Sequence, residues 1–322
     1  MTEEKTPQNS TQFHINPRKV LIMRDFAIIE APSVLGHIPT HLAVADMPHS
    51  LLKNGLADKL NARHAGRVES PPWHADRDPE TNIMNPREIN KYSVALADVV
   101  GDVLDQREFP VVLGGDCSIV LGAMLALRRR GRYGLLYIDG HTDFYQPDAN
   151  PILGAASASD LAFATGRGPA VVSDIEGRGP LVRDDDVVPF GYRDGATQNY
   201  NRSQLLPENM LALDRHAVRV LGTRTAAEEA VAQLTRDADI DGFWVHVDVD
   251  VLDQSIMWAC DAPQPDGLSW EDLETVLTVA LRNQKAVGFE ITIYNPDMDP
   301  GGLSGRGLAA TVSRALGQFA NR

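Results

Sequence analysis

Three polar residues at two-residue spacing, Asp139, His141 and Asp143, could together bind a divalent metal. They follow residues 134–138, an apolar and partly β-branched segment typical of a strand buried on both faces. Because side chains alternate along an extended chain, the three would point the same way where the strand ends. Two carboxylates and an imidazole at one place form half of a site for a divalent cation.

A second cluster with the same spacing, His246, Asp248 and Asp250, comes at the end of the apolar residues 242–247. A solvated acidic face is the alternative interpretation of any single carboxylate of this kind. Both clusters, however, end segments that must be interior, and an ionised carboxylate buried without a cation is very costly. The two clusters together therefore predict a two-metal site bridged by shared carboxylates.

Composition limits the class of protein. The chain has 322 residues, of which 43% are hydrophobic, enough for a full core. A formal charge of -14 and a pI near 5.0 argue against binding to nucleic acid or to an anionic membrane. Two cysteines, Cys117 and Cys260, form no disulfide framework and indicate a reducing compartment. No segment has transmembrane length and the N-terminus lacks a signal-peptide core, so we expect a cytoplasmic protein.

The elements that must position these residues alternate between strands and helices, which predicts a parallel sheet covered on both faces. Strands are predicted at residues 19–23, 67–69, 110–113, 134–138, 187–190, 218–221, 242–247 and 286–291. Helices are predicted at residues 89–104, 119–127 and 226–234. A further helix should begin after Ser269, which with Asp272 forms a variant of the capping box.

The remaining segments complete the predicted organisation. Residues 1–17 are polar and aperiodic and should form a flexible N-terminal arm, and residues 18–322 should form a single domain. Residues 70–87 contain four prolines and should be irregular. His37 and His41 lie in a segment that follows the first predicted strand. Such a loop belongs at the ligand-binding edge of an open α/β sheet, so both are candidates for the rim of the site.

Three motifs resemble the signatures of the arginase/agmatinase/formimidoylglutamase (ureohydrolase) family. They are residues 114–118 (Gly-Gly-Asp-Cys-Ser), 139–143 (Asp-Gly-His-Thr-Asp) and 246–253 (His-Val-Asp-Val-Asp-Val-Leu-Asp). They occur in the family's order and at similar separations, each closing a predicted strand, and the resemblance extends from about residue 20 to 320. It implies a three-layer αβα arginase-like fold with a central eight-stranded parallel sheet.

The resemblance also implies a dinuclear metal centre, most often of manganese, whose bridging hydroxide attacks a guanidinium or amidine carbon. Asp139 and Asp248 would bridge the two ions. A carboxylate-rich site suits Mn²⁺, and two cations on one water lower its pKa so that hydroxide exists near neutrality.

The other implied ligands divide between the two ions. Cys117 and Asp143 would complete one ion together with the bridging carboxylates, and we call this the first metal site. His141 and Asp250 would complete the other ion, the second metal site. In family members the counterpart of Asp143 also hydrogen-bonds the hydroxide and relays its proton.

Several positions depart from the family pattern. The first motif usually ends in His-Ser, and Cys117 stands at that ligand position. A thiolate there would shift the preference towards Zn²⁺, Fe²⁺ or Ni²⁺; alternatively, Cys117 is a buried small hydrophobe and the first metal site is weak or empty. The arginases' shuttle histidine falls near Ser157, and the glutamate that binds the substrate guanidinium aligns with Ile293.

Two further residues have open roles. Glu290 could partly replace the glutamate that is missing at Ile293, or it could be structural. His246 stands where the family commonly has serine. It could act as a base, orient a metal-binding carboxylate, or be a satisfied buried histidine.

The sequence thus predicts a metal-dependent hydrolase of linear C–N bonds in a guanidino or amidino compound other than plain arginine, with an N-hydroxyarginine-type substrate left open. Its cofactors would be two divalent metal ions, Mn²⁺ or else Ni²⁺, Fe²⁺ or Zn²⁺. The catalytic candidates are Asp143, His246 and Glu290. The alternative is a catalytically silent, metal-poor family member that serves as a binding or regulatory subunit. We expect a small-molecule partner, no nucleic acid or membrane, and a homo-oligomer.

Overall fold

Seven strands form one parallel sheet in the computed structural model, which describes residues 23–144, 154–194 and 205–321. The strands are β1 (Phe26–Ala31), β2 (Arg63–Arg67), β3 (Phe109–Gly114), β4 (Tyr133–Ile138), β5 (Val187–Phe190), β6 (Gly242–Asp248) and β7 (Ala286–Thr292). Their order across the sheet is β2-β1-β3-β7-β6-β4-β5, and each pair of neighbours is parallel. The predicted parallel α/β fold is confirmed.

Helices cover both faces of this sheet. They are α1 (Met47–Lys53), α2 (Leu56–Leu60), α3 (Pro86–Asp105), α4 (Val120–Arg128), α5 (Asp160–Ala164), α6 (Ala170–Ser173), α7 (Arg215–Leu221), α8 (Thr223–Leu234), α9 (Trp270–Leu281) and α10 (Leu303–Gly317). None of these described helices combines the length and apolar character needed to cross a lipid bilayer.

Two apolar cores lie between the three layers, because successive strand residues face opposite sides of the sheet. One core joins Ile28 and Val245 to helices α1, α2 and α7 to α10. The other joins Ile29 and Trp244 to helices α3 to α6. The predicted capping box is present at the start of α9, where Ser269 and Asp272 bond each other's backbone N–H.

The strand predicted at residues 218–221 is wrong, because these residues end helix α7. Asp214 caps this helix by accepting a hydrogen bond of 2.7 Å from the backbone N–H of Ala217. Val218 is fully buried but Val220 is 70% exposed, so the short apolar run is one helix face and not an interior strand. The described sheet accordingly has seven strands and not the expected eight.

Two predicted segments at the start of the chain have different outcomes. Residues 19–22 of the first predicted strand, and the whole N-terminal arm at residues 1–17, lie outside the described residues. The first described strand begins at Phe26, after the segment that was predicted. Residues 32–38 leave this strand as a loop, as expected, and place His37 at the carboxyl edge of the sheet; a 3-10 helix follows at Pro39–Asp46.

That edge positions the site. Strands β3, β7, β6 and β4 are consecutive neighbours in the sheet, so the loops after them meet. Because parallel strands all end on the same edge, residues 115–118, 293–295, 248–250 and 139–143 are brought to one place from distant parts of the chain.

Candidate metal centre

The two predicted clusters converge at the ends of neighbouring strands β4 and β6. Asp139 follows β4 and Asp248 ends β6, and the register pairs Ile138 with Val247, directly before them. Both carboxylates are buried, at 0% and 4% exposure. One oxygen of each bonds the backbone two residues further on: Asp139 accepts from His141 and Asp248 from Asp250, at 2.6 and 2.8 Å.

The residues assigned to the second metal site are in contact. His141 Nδ1 lies 2.9 Å from Asp250 Oδ2. One ligand atom each of Asp139, His141 and Asp250 can be chosen so that all lie within 4.8 Å of one another. Asp250 is held by the backbone N–H of Gly140 at 3.0 Å, so its second oxygen is directed to the histidine. The prediction that these three lie together agrees with this geometry.

The first metal site is built around Cys117. Its thiol donates a hydrogen bond of 2.9 Å to Asp248 Oδ2 and lies 3.0 Å from Thr292 Oγ1. Cys117 Sγ also lies within 4.8 Å of a carboxylate oxygen of Asp143 and of Asp160. The sulfur therefore faces carboxylates, and not only the apolar core that a purely packing role would require.

Asp160 is a residue that the sequence reasoning missed. It is fully buried at the start of the short helix α5. Tyr137 OH lies 2.9 Å from Asp160 Oδ1 and 3.0 Å from Asp143 Oδ2, so its single hydrogen is shared between the two carboxyl groups. The available signal was a single acid within the small, apolar residues 155–164. An acid at the start of a helix ordinarily faces solvent, so this pattern did not point to the centre.

The Asp of the first motif, Asp116, has a different task. Its carboxylate accepts hydrogen bonds from the backbone N–H groups of Gly36 and Ser118 and from the Ser33 hydroxyl, at 3.2, 2.9 and 3.2 Å. It thereby ties the loop after β1 to the turn that carries Cys117. Asp116 thus organises the loops around the site.

The electrostatics of the centre are those of acids crowded out of water. Burial, and then neighbouring carboxylates, raise the pKa of Asp139, Asp143 and Asp248 well above the ordinary value of 3.8. Burial raises the pKa of Asp160 in the same way. Four buried acids this close together cannot all ionise without cations, and divalent metals would supply the missing positive charge.

His141 and Asp250 form the exception, because they neutralise each other. Burial opposes the charge of His141, but Asp250 and Asp139 raise its pKa to about 9. Burial likewise opposes the charge of Asp250, yet His141 and Arg193 hold its pKa below the ordinary value. Arg193 donates to the backbone carbonyls of Asp250 and Val251, at 2.7 and 2.9 Å.

Several polar atoms at the centre have no hydrogen-bond partner among the described residues: Asp139 Oδ2, Asp160 Oδ2 and His246 Nε2. All three belong to fully buried side chains. Buried polar atoms are rarely left unsatisfied, and acceptors that converge without donors are the arrangement expected of metal ligands. The residues present therefore fit a pair of divalent ions.

A cavity of about 230 Å³ adjoins the centre. His141, Asp143, Asp248 and Asp250 form its polar wall. The rest of the lining is polar at His37, Ser157 and Asp261 and is otherwise small or apolar. The small or apolar residues are Ile38, Ala155, Ala158, Ala262 and Ile293. This volume is below the roughly 300–1,000 Å³ of pockets for drug-sized ligands, so it suits a small molecule.

His37, predicted at the rim, does line this cavity. It forms an ion pair through Nε2 with Asp261, and His41 Nδ1 lies 3.5 Å from the same carboxylate. The two imidazoles stack with centroids 5.8 Å apart. The only acid on the rim side of the described cavity wall is thus already paired with histidines.

Ile293 occupies the wall in an unusual backbone conformation. Its φ of 74° lies in the left-handed region, which is rare for a β-branched residue. Asp143, across the cavity, also has a positive φ, of 41°. Strained residues of this kind persist where the surrounding structure fixes them, and they cluster at functional sites.

His246 and Glu290 lie beneath the cavity and do not line it. Both are completely buried, and His246 Nδ1 lies 2.8 Å from Glu290 Oε1. A direct contact of either with substrate, which the sequence left open, has no support in this geometry. Glu290 in particular does not replace the carboxylate that is missing at Ile293.

The three-layer αβα fold and the carboxylate-rich centre at the carboxyl edge of its parallel sheet define the class, an α/β protein with side chains placed to bind metal ions. The chain belongs to the arginase family, whose model, described as Arginase family, matches residues 35–317. The arginase of Bacillus caldovelox is 25% identical over 301 residues, which cover 91% of this chain and 97% of that protein.

Solved structures show the same fold. The arginase structure from Bacillus caldovelox aligns with a TM-score of 0.80 at 22% identity, covering 93% of this chain and 99% of the other. The proclavaminate amidino hydrolase of Streptomyces clavuligerus aligns with a TM-score of 0.66 at 17% identity, covering 92% and 93%. The predicted family and fold are confirmed.

Proposed function

We propose that this protein is a metal-dependent hydrolase that cleaves a linear C–N bond of a small guanidino or amidino compound other than plain arginine. The observation that carries the proposal is the convergence of buried carboxylates from strands β4 and β6 on one cavity, with Asp139 Oδ2 unpartnered among the described residues. Membership of the arginase family supports the reaction class.

The proposed cofactor is a pair of divalent ions, held by Asp139 and Asp248 as shared ligands. When bound, they supply an activated water and neutralise charge that develops at the reacting carbon. Two ions also explain how so many acids can be buried together. The metal identity remains part of the proposal, with Mn²⁺ favoured by the oxygen ligands and Zn²⁺, Fe²⁺ or Ni²⁺ by Cys117.

Asp143 is the residue of this chain best placed to move a proton. It lines the cavity, and Tyr137 OH donates to one of its oxygens at 3.0 Å. Hydrolysis adds water to the guanidino carbon, breaks one C–N bond and delivers a proton to the departing nitrogen. We assign Asp143 to hold and pass that proton, with Tyr137 fixing the orientation of the carboxylate.

The wall of the cavity argues for the substrate. A guanidinium cation placed against Ile38 and Ile293 would lose water without gaining a counter-ion from either side chain. A more weakly basic amidino group, such as an N-hydroxyguanidine, suffers less from such a wall. The proposed substrate class is therefore a small guanidino or amidino compound of reduced basicity.

The proposal is tested on protein purified without added metal. Metal content is measured by elemental analysis, and urea or ammonia release is measured across a panel of guanidino and amidino compounds with each of the four metals. Two ions per chain and turnover of at least one compound are expected. A protein that binds no ions and turns over no compound would overturn the proposal. That result would favour a silent binding or regulatory subunit.

A matched pair of variants ties the result to the centre. Asp248→Asn should lose both tight metal binding and turnover, because it removes the charge of a shared ligand. Asp253→Asn is the control from the same segment: its oxygens accept from Ser255 and from the backbone of Gly267, outside the centre. Two ions and normal turnover in Asp248→Asn would contradict the assignment.

A further inference from the structure

A row of three aligned side chains crosses the sheet directly beneath the centre. Tyr137 on β4, His246 on β6 and Glu290 on β7 are register partners on adjacent strands. The Tyr137 and His246 rings stack with centroids 4.6 Å apart and planes 6° from parallel. The imidazole of His246 is therefore held at its face by the Tyr137 ring and at its edge by the Glu290 carboxylate.

Glu290 determines which nitrogen of His246 is available. Its Oε1 lies 2.8 Å from Nδ1. When this carboxylate is ionised it can only accept, which places the hydrogen on Nδ1. Nε2 then presents a lone pair. This atom is fully buried and has no hydrogen-bond partner among the described residues. A histidine whose other nitrogen is bonded to a carboxylate is the usual form of a metal-binding imidazole.

His246 belongs to a set of possible metal donors. One ligand atom each of Cys117, Asp139 and His246 can be chosen so that all three lie within 4.8 Å of one another. Donors on one tetrahedral ion, at bond lengths of about 2.0–2.3 Å, lie roughly 3.3–3.8 Å apart. The three groups would therefore close by no more than about 1.5 Å to bind a common ion.

We propose that His246 Nε2 is a ligand of the first metal site, with Glu290 as the residue that positions its ring. The site then offers a sulfur and an imidazole nitrogen in addition to carboxylate oxygens. Such a mixed set favours Zn²⁺, Co²⁺, Fe²⁺ or Ni²⁺ over Mn²⁺ more strongly than Cys117 alone would. This inference rests on the proposed function only in requiring that the centre binds metal.

The first test compares metal binding by His246→Ala with that of the wild type and of His64→Ala. His64 is a matched control, because it also pairs with a carboxylate, Glu30 at 2.7 Å, but is exposed and distant in the sheet. Equilibrium dialysis against Co²⁺ or Zn²⁺ should show that the affinity for one ion falls by about 10- to 100-fold in His246→Ala. Both affinities should be unchanged in the control. Unchanged binding of both ions in His246→Ala would overturn the inference and leave the proposed function standing.

A second variant separates a positioning role from a structural one. Glu290→Gln keeps a hydrogen-bonding group of the same size, and its expected effect is a loss of about 10- to 100-fold in affinity for one ion. A residue with a structural role only would lower the melting temperature of the metal-free protein and leave affinity unchanged, which would overturn the role of Glu290.

X-ray absorption on the metal-loaded wild type gives an answer that does not depend on how variants fold. Two imidazoles and one sulfur shared between two cobalt ions are expected, from His141, His246 and Cys117. One imidazole would overturn the proposal for His246. A wild type that binds fewer than two ions would instead count against the proposed function itself.

Discussion

The Cys117 thiol donates a hydrogen bond of 2.9 Å to Asp248 Oδ2, although 131 residues separate the two in sequence. Cys117 follows strand β3 and Asp248 ends strand β6, and strand β7 lies between them in the sheet. The bond thus links the first and third sequence motifs across the centre. A thiol directed at a carboxylate in this way can become a thiolate ligand when a cation replaces its proton.

The state of Cys117 gives the first prediction. Burial, and then Asp248 and other acids, raise the pKa of this thiol well above 9.0, so in metal-free protein it stays protonated at neutral pH. Binding of Co²⁺ should release that proton and produce a thiolate-to-cobalt absorption band in the near ultraviolet. The band should disappear in Cys117→Ser and persist in Cys260→Ser. Its persistence in Cys117→Ser would mean that Cys117 only packs.

A second prediction concerns arginine. Wild-type protein saturated with Mn²⁺ should hydrolyse arginine weakly or not at all, because Ile293 offers no counter-charge. Ile293→Glu should raise kcat/KM for arginine by about 10- to 100-fold, the equivalent of a charge-assisted hydrogen bond of roughly 1.5–3 kcal/mol. Ile293→Gln is the uncharged control of equal size. Efficient arginine hydrolysis by the wild type would refute this account of the cavity wall.

Tyr137 provides a third prediction. Tyr137→Phe keeps the ring that stacks on His246 but removes the hydroxyl shared by Asp143 and Asp160. We expect kcat to fall by about 10- to 100-fold, with two ions still bound. Steady-state kinetics and metal analysis on the same preparation check this. An unchanged kcat would remove the assigned role of Tyr137 in orienting Asp143.

The pH dependence of metal-free stability is the fourth prediction. Asp139, Asp143, Asp160 and Asp248 have folded pKa values above their ordinary value of 3.8, so they bind protons more tightly when folded. The stability that they contribute is complete below pH 3.8 and is lost as the pH rises through the folded pKa values. His141 acts in the same direction, from its ordinary 6.5 up to about 9.

Asp250 has the opposite sign, but its stabilisation is lost only below its ordinary value of 3.8. Between about pH 5 and 9 the melting temperature of metal-free protein should therefore fall as the pH rises. Metal-loaded protein should show little of this loss, because ligands that bind a cation no longer repel one another. A melting temperature of the metal-free protein that rises over this range would contradict the described electrostatics.

Much of the centre could be predicted from sequence because parallel strands impose a simple rule. Polar residues directly after buried strands must meet at one edge, so Asp139 and Asp248 could be brought together without any knowledge of strand order. The capping box at Ser269 was equally predictable, since it depends on residues three positions apart. Local patterns and edge rules thus account for most of the elements.

Contacts that depend on loop paths were beyond the sequence. Asp160 and the ion pair of His37 with Asp261 join segments whose approach is set by packing around the cavity. Residues 218–221 were misassigned for a related reason: a run of four residues carries too little periodicity to separate a strand from one face of a helix. Only burial decides, and burial is a property of the assembled layers.

The most direct measurement of the central claim is an anomalous-difference map from crystals grown with the preferred metal. The account predicts two peaks about 3.5–4 Å apart, both in contact with Asp139 and Asp248. One peak should also contact Cys117, and the other His141 and Asp250. No peak between these carboxylates in crystals of metal-saturated protein would contradict a dinuclear centre at this edge of the sheet.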